Sequence, residues 1–503
     1  MRKSRNSWKL KAVFRASLLR NLRKQLTRLQ RCAEARHLRL VQQIRRLEAE
    51  NASLRSTAIL AASNPPHPTQ VSSWIHLRTL CVTMVIGGIV SFRAVPRLLG
   101  VLQSLGWIRV QVPHFTSVIH WSLRAGLAVF DQVSFVHDPW LAIIDCSIDV
   151  GTRKALVVLR VSLSALTRKL GAIGLDDCQC IGLKISSRWN GPLVKDALVE
   201  IFAQAGMPRA IIKDKGTDLN KGVDLYREAE DAKKVWVIDD VGHIAANALK
   251  AEFSKRSAFA KFMEIVRKGA ARIRQTDLAW LLPPKIRTKG RFQGITEVAE
   301  WAEKLLNLMG GQGRSRANSE LSGLRKAFRG LSQLRSFLEQ FGATCRVIEQ
   351  FLKIMKQKGI NQASYSEAKV LLAQLPGRSK VRTRLLSWLH RHLHIQCRLG
   401  IGQIPLPVSS DAIESLFGKF KTIIQRNPQA ELNRLVYIIP LLCGIHTPAE
   451  IDLALRDCSH LHLLDQIEQT IPPTLRQQRH RILDSASREQ VPETGNPARL
   501  KAG

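Results

Sequence analysis

The fold is decided by the stretch WLAIIDCSIDVG (140–151), in which an apolar run of strand length ends on acidic and turn-forming residues. Four more β-rich runs follow it: KALVVLRVSL (154–163), CIGLKISS (180–187), RAIIKD (209–214) and VWVIDD (235–240). A helical stretch, GPLVKDALVEIFAQAGM (191–207), precedes the fourth run, and HIAANALKAEF (243–253) follows the fifth. This order predicts an α/β core with a mixed five-stranded sheet.

A large all-α insertion is predicted after the fifth strand. From about residue 251 to 405 the strand pattern disappears and helical periodicity dominates, before the helix of SSDAIESLFGKFK (409–421) completes the core. The predicted segments are a basic helical arm with a coiled coil (1–62), a helix-turn-helix-like DNA-binding domain (74–130), the first part of the core (138–250), the helical insertion (251–405), the second part of the core (406–470) and a disordered basic tail (471–503).

The charge of the chain favours a polyanionic partner. Lys and Arg number 77 against 40 Asp and Glu, which gives a formal net charge of +37. Residues 1–55 alone carry 16 basic side chains and three acidic ones. The arm also holds a short heptad seam of Leu40, Leu47 and Leu54 with Ile44 and Asn51. A homodimer or higher oligomer is one interpretation of that seam, and a single amphipathic helix is the other.

The apolar segments lead us to expect a protein that stays inside the cell and does not span a membrane. The basic N-terminus lacks a following apolar region and cleavage site, and the longest apolar run, LCVTMVIGGIVSF (80–92), is too short to cross a bilayer. With this charge, we expect a cytoplasmic protein associated with the nucleoid.

Three carboxylates occupy positions where chemistry could occur. Asp145 closes the first strand run, Asp214 closes the fourth, and Glu414 borders the apolar face of the helix in SSDAIESLFGKFK. Hard divalent cations prefer oxygen ligands, and a pair of them can serve phosphoryl transfer by activating the nucleophile and stabilising the leaving oxygen. The three residues therefore predict catalytic ligands for two Mg²⁺ ions, for which Mn²⁺ could substitute.

Each of these carboxylates has a competitor close by. Asp149 competes with the first but is expected in the turn after the strand. Asp218 competes with the second, which follows its apolar strand directly. Asp411 competes with the third and, because it precedes the first apolar helical residue, is expected to serve as the helix N-cap.

Several basic and polar residues are expected to contact DNA phosphates. In the loop PPKIRTKGRFQG (283–294) the basic residues alternate, which would align them along one side of an extended segment. The predicted contacts are Lys419 and Lys421 on the carboxylate helix, Lys285, Arg287, Lys289 and Arg291 in that loop, and Ser117, His120 and Arg124 on an exposed face of the second helix of the helix-turn-helix-like domain.

The order and spacing of the carboxylates resemble a known family. Asp145, then Asp214 in KDKGTDLNKG 69 residues later, then Glu414 after a further 200 residues that include the insertion, are similar to the catalytic domain of DDE-type transposases of bacterial insertion sequences. The resemblance spans roughly residues 140 to 440. It implies an RNase H-like fold and an enzyme that cuts and rejoins double-stranded DNA at transposon ends and at a target, by Mg-dependent phosphodiester hydrolysis and transesterification.

The same resemblance extends to IDDVGHIAANALK (238–250), where it implies that Asp240 and His243 help to position the DNA end. Two other functions stay open from the sequence. One is a transposase-derived DNA-binding protein without catalytic activity, which metal-dependent cleavage of DNA would exclude. The other is an RNase H-like nuclease or resolvase, which a strand-transfer assay would separate from a transposase.

Overall fold

The computed structural model describes residues 73–108, 111–146, 153–169, 173–229, 234–285, 294–310, 319–424 and 433–471, with positions 292, 473, 477–479 and 482–483. All of them belong to one compact unit, Ser72–Gly503. The predicted arm (1–62), Asp149, the loop residues Arg287, Lys289 and Arg291, and most of the predicted tail (471–503) lie outside the described residues.

The strands form a single mixed sheet. They are β1 (Trp140–Cys146), β2 (Lys154–Ser162), β3 (Gln179–Ser186), β4 (Ala210–Lys213) and β5 (Trp236–Asp239). Their order is β3-β2-β1-β4-β5, with β1–β2 and β2–β3 antiparallel and β1–β4 and β4–β5 parallel. The predicted mixed five-stranded sheet is confirmed. Because β1, β4 and β5 run in one direction, their carboxyl ends meet at the same edge.

Sixteen α-helices of the described residues come before, between and after the strands in the chain. They are α1 (Ser73–Ile86), α2 (Ala94–Ser104), α3 (Phe115–Asp131), α4 (Leu163–Arg168), α5 (Gly191–Ala205), α6 (Thr217–Glu228), α7 (Val241–Phe253), α8 (Ser257–Ile273), α9 (Ile295–Gly310), α10 (Ser319–Ala327), α11 (Arg335–Lys358), α12 (Gln362–Ala373), α13 (Lys380–Arg398), α14 (Asp411–Ile423), α15 (Pro448–Asp457) and α16 (His460–Thr470). In the described part of the chain, no helix is both long and apolar enough to cross a membrane.

The two faces of the sheet bury different sets of side chains, because successive residues of a strand point in opposite directions. Ala142 and Ile144 pack in a cluster that includes residues of α5 and α6. Leu141 and Ile143 pack in the larger cluster, which includes Ile244 of α7 and residues of α14. Residues of even and odd number on β1 therefore meet different surroundings at the carboxyl edge.

Helices α8 to α13 lie between α7 and α14 in the chain. Glu252 of α7 connects α7 to this helical block by hydrogen bonds. Its Oε2 accepts from Ser379 Oγ at 2.7 Å and from the Val381 backbone N–H at 3.0 Å. These donors lie at the N-terminal end of α13, where backbone N–H groups lack partners within the helix. Glu252 therefore fixes α13 beside α7.

Helix α3 has a less exposed polar face than predicted. Arg124 donates to the backbone oxygens of Leu455 at 2.5 Å and Cys458 at 2.7 Å, at the end of α15. The ring of His120 lies 5.1 Å from that of His460. Ser117, His120 and Arg124 are all half-buried, and α1 to α3 share a hydrophobic core with the C-terminal helices. The prediction of an exposed face is wrong for His120 and Arg124, because the segment after residue 433 contacts them. Contact of Ser117, His120 and Arg124 with DNA stays a prediction.

Candidate active site

The sheet register brings the first two predicted carboxylates together. Ile144 of β1 pairs with Lys213 of β4, so the residues that follow them, Asp145 and Asp214, lie side by side at the carboxyl ends of these parallel strands. Both are half-buried. Asp214 is fixed by its own turn, since its Oδ1 accepts the Gly216 backbone N–H at 2.9 Å.

The third strand end adds another carboxylate at the same edge. Lys213 pairs with Asp239 of β5, and the following residue is Asp240, whose backbone N–H donates to the Lys213 oxygen at 2.8 Å. Asp240 thus stands next to Asp214 across the sheet. At the carboxyl ends of three adjacent parallel strands, Asp145, Asp214 and Asp240 therefore occupy neighbouring positions in the same register.

The pKa of Asp145 reports which charges surround it. Burial raises the pKa of Asp145 to about 7, and the negative charges of Asp214, Glu414 and Asp240 add to the shift. Glu414 comes from α14, far along the chain, yet its charge acts on the strand-end aspartate. We call these four residues the carboxylate cluster. Its members are those that the sequence predicted as catalytic, together with Asp240.

Glu414 and its competitor Asp411 have different surroundings. Asp411 accepts a hydrogen bond from Lys356 of α11, with Nζ and Oδ1 2.7 Å apart. Glu414, in contrast, is among the charges that raise the pKa of Asp145 after burial and Asp214. The expectation that Asp411 is the N-cap is wrong, because Ser410 holds that position and Asp411 is the first helical residue. Of the two, Glu414 is the carboxylate of α14 that acts on the strand ends.

Asp240 has a structural task that occupies both of its oxygens. It is 3% exposed, and as the N-cap of α7 its Oδ1 accepts the His243 backbone N–H at 2.8 Å. Its Oδ2 accepts from Ser410, at 2.8 Å from the backbone N–H and 3.0 Å from Oγ. Asp240 therefore joins the end of β5 to the start of α14 and positions the helix that carries Glu414.

A cavity of about 480 Å³ opens beside the Glu414 side of the cluster. It lies along α7, α11 and α14, and we call it the acidic cavity. Acidic and basic side chains both line this cavity, together with the half-buried His243. Lys285, one of the predicted DNA contacts, is an exposed residue of the lining. The charged residues that line it are Asp240, Asp411, Glu414, Glu297, Lys285 and Lys356.

The two lysines of α14 lie on different sides of that helix. Lys421 is seven residues after Glu414, almost two full turns, so it lies on the same side and is exposed. Lys419 is half-buried and lies well round the helix from Glu414. Of the pair, Lys421 is the one whose placement suits contact with a ligand at the carboxylate cluster.

A second group of charged side chains, centred on Asp239, lies on the opposite face of the sheet at the same carboxyl ends. Sequence analysis missed this group. Asp239 is 5% exposed and its carboxylate lies 3.3 Å from Lys213 Nζ and 3.4 Å from Lys215 Nζ, and it also accepts from Arg391. Burial acts to raise the pKa of Asp239, but the charges of Lys213, Arg391 and Lys215 outweigh it and hold that pKa below its usual value. The signal was Lys213 itself, a lysine inside the apolar run RAIIKD that needs a buried partner.

Two aromatic residues of α13 fix the backbone of Asp239. The Trp388 indole N–H donates to the Asp239 oxygen at 3.1 Å, and the Asp239 N–H donates to His392 Nε2 at 3.1 Å. His392 is fully buried, and burial lowers its pKa to about 4, so the ring is neutral and accepts through Nε2. The sheet edge is thereby anchored to the helical block.

Oxygen ligands of the kind that hard divalent cations prefer are concentrated at the carboxylate cluster. Within the described residues, no three His, Cys, Asp or Glu side chains are already arranged as a complete set of metal ligands. The repulsion that helps to raise the pKa of Asp145 is the unfavourable interaction that a bound cation would relieve. The donor chemistry of the carboxylate cluster fits such a cation.

Comparisons with known proteins do not identify a family for this chain. No protein-family model and no curated protein sequence matches the chain. Among solved structures, the chain is similar to a Drosophila P element transposase strand transfer complex, with 12% identity over 81% of this chain and 97% of that chain and a TM-score of 0.35. A TM-score this low supports no conclusion about fold or function.

Proposed function

We propose that the protein is a transposase with an RNase H-like core, which binds the ends of a mobile element and catalyses metal-dependent DNA cleavage and strand transfer. The observation that carries the proposal is the meeting of Asp145, Asp214 and Glu414 at one sheet edge, where burial and then the charges of the other two raise the pKa of Asp145. The net charge of +37 supports DNA as the substrate.

In the proposed reaction, water attacks a phosphodiester at the element end and releases a 3′-hydroxyl, which then attacks a phosphodiester of the target. Asp145, Asp214 and Glu414 would hold two divalent cations, Mg²⁺ or Mn²⁺. Such ions, when bound, lower the pKa of a coordinated water and stabilise the leaving oxygen. Asp240 holds the start of α14 in place for Glu414, and Lys285 and Lys421 stand where they could neutralise phosphates of the bound DNA.

The proposal is tested with the full chain, Mg²⁺ and a plasmid that carries the two DNA segments flanking the gene. The wild-type protein should cleave at the segment ends and join the released 3′-ends to a second plasmid. Asp214→Asn should abolish both reactions and leave binding of the flanking DNA nearly unchanged, because the carboxylate holds cations and does not contact the phosphates directly. Cleaved ends and joined products are counted by sequencing.

The matched control is Asp218→Asn, the same change on an exposed residue in the first turn of α6. Its activity should equal that of the wild-type protein. DNA binding without cleavage by the wild-type protein would favour the inactive transposase-derived alternative, and cleavage without joining would favour a nuclease or resolvase. Full activity of Asp214→Asn would overturn the assignment of the site.

A further inference from the structure

A second cavity, of about 680 Å³, runs between α7 and α13. Helix α7 separates it from the acidic cavity, because different sides of α7 line the two: Ala246 and Leu249 line the acidic cavity, whereas Asn247 and Ala251 line the second one. We call the second cavity the basic groove. Its polar lining residues are Lys215, Lys250, Arg384, Arg391, Asn247, Ser254, Thr383 and Ser387.

The charge of the basic groove is strongly positive. Four cationic side chains line it, and no carboxylate is among its lining residues in the described part of the chain. Lys215 and Arg391 are tethered by the buried Asp239, which also faces Lys213, so one negative charge stands against three positive ones. Lys250 and Arg384 are exposed and form no ion pair with any described residue. The groove therefore holds cations that the protein itself does not neutralise.

These cations extend along the groove instead of converging on one point. Arg384 and Arg391 are seven residues apart on α13, which separates their positions by about 10 Å along the helix axis. A nucleic-acid strand in a duplex presents a phosphate about every 3.4 Å along its axis, so this length covers several phosphates. The arrangement fits a linear polyanion better than one compact phosphate group.

The other side chains of the groove suit a sugar-phosphate backbone. Hydroxyl and amide groups such as those of Asn247 and Ser387 donate to phosphate oxygens in protein–DNA interfaces. The aromatic side chain of the lining, Trp388, is 3% exposed and its indole N–H is used by the Asp239 oxygen. The ring is thus unavailable for base stacking, which is the usual platform for reading unpaired bases.

We infer that the basic groove binds the phosphodiester backbone of a nucleic-acid strand beside the carboxylate cluster. The inference deepens the proposed function and rests on it in one respect, that the bound strand belongs to the DNA processed there. The two sites are joined in the chain, because Lys215 of the groove directly follows Asp214 of the cluster. Contacts with the sugar-phosphate backbone do not distinguish one base from another, so the groove would bind DNA of any sequence.

The test measures binding in the presence of EDTA, where cleavage does not occur. The full chain is titrated into a fluorescein-labelled 30-base-pair duplex at several salt concentrations. For Lys250→Gln with Arg384→Gln, we expect about a tenfold loss of affinity near physiological salt. The slope of log affinity against log salt should fall by about 1.8, because each phosphate contact contributes about 0.9. Circular dichroism and the melting temperature should not change, since both side chains are exposed.

The control is Lys261→Gln with Arg329→Gln, which removes the same two charges from exposed positions of the helical block outside the groove. It should keep the affinity and salt slope of the wild-type protein. Equal losses in both double variants, or no loss in the groove variant, would overturn the inference. So would a groove variant that loses binding of a fluorescent nucleoside triphosphate but keeps its affinity for DNA. None of these results depends on Asp214→Asn, so the proposed function can fail separately.

Discussion

The two faces of the sheet at the carboxyl ends of β1, β4 and β5 differ in charge. Asp145, Asp214 and Asp240 lie on one face, where their charges and that of Glu414 act on each other. The residues one position earlier on β4 and β5, Lys213 and Asp239, belong to the other face. Together with Lys215 and Arg391 they form a group of net positive charge. The cause is the alternation of side chains along a strand, which sends neighbouring residues into different environments.

Asp239 and Asp240 show the consequence most clearly. Both are almost fully buried, at 5% and 3% exposure. Asp239 is held by three cations, whereas Asp240 is held by hydrogen bonds from His243 and Ser410. Asp239 therefore supports the basic groove, and Asp240 supports the carboxylate cluster. Two consecutive residues of the same type therefore support two sites of opposite charge.

The largest effect on stability is expected from Asp239→Asn. The change leaves Lys213, 2% exposed, without its counter-charge, and removal of one partner from a buried pair costs about 3–5 kcal/mol. The midpoint of urea denaturation should fall accordingly, and the added change Lys213→Met should restore part of the loss. Asp196→Asn, on an exposed residue paired with Lys195, should change stability by no more than about 1 kcal/mol. Equal losses in Asp239→Asn and Asp196→Asn would show that Asp239 does not hold the cations.

The next effect separates Glu414 from Asp411. Glu414→Gln should lower the rate of DNA cleavage roughly 10²–10³-fold, the loss typical when one charge-stabilising group leaves an active site. Asp411→Asn breaks only a half-exposed pair with Lys356, so its rate should stay within about fivefold of the wild-type rate. Initial rates at saturating DNA measure both. The reverse order of the two variants would transfer the third catalytic role to Asp411.

A smaller effect concerns the pH dependence of stability. Because the pKa of Asp145 is about 7 in the folded protein and its ordinary value is 3.8, the folded state retains a proton that the unfolded state has lost between these values. The free energy of unfolding therefore falls as pH rises through this window, by about 2–4 kcal/mol for this group. Asp145→Asn should melt higher than the wild-type protein at pH 8 without divalent ions, and the difference should shrink at pH 4. A difference that does not vary with pH would contradict the raised pKa.

Much of the carboxyl edge could be predicted from the sequence, because the required signals are local. Apolar runs ending on Asp145 and Asp214 indicate both the strands and the position of the acids, and helical periodicity places Glu414 beside a buried face. The strand register, which sets these acids side by side, comes from pairing between distant segments. No local pattern specifies it.

The surroundings of a helix were harder to predict. The face of α3 that carries His120 and Arg124 was expected to be exposed, but the residues that cover it, such as Cys458 and His460, lie more than 330 residues later in the chain. A polar face that packs against carbonyl oxygens at a helix end has the same sequence pattern as a solvated one. The capping role expected for Asp411 failed for a local reason. The helix begins one residue earlier than expected, so Ser410 holds the N-cap position and Asp411 is the first helical residue.

The central claim is that Asp145, Asp214 and Glu414 hold divalent cations, and a thermal titration with Mg²⁺ at pH 7.5 tests it most directly. A tenfold excess of Mg²⁺ over its dissociation constant should stabilise the wild-type protein by about 1.4 kcal/mol, seen as a rise in melting temperature. The rise should be absent in Asp145→Asn and in Asp214→Asn and should persist in Asp218→Asn. An equal rise in all four proteins, or none in the wild-type protein, would contradict the account.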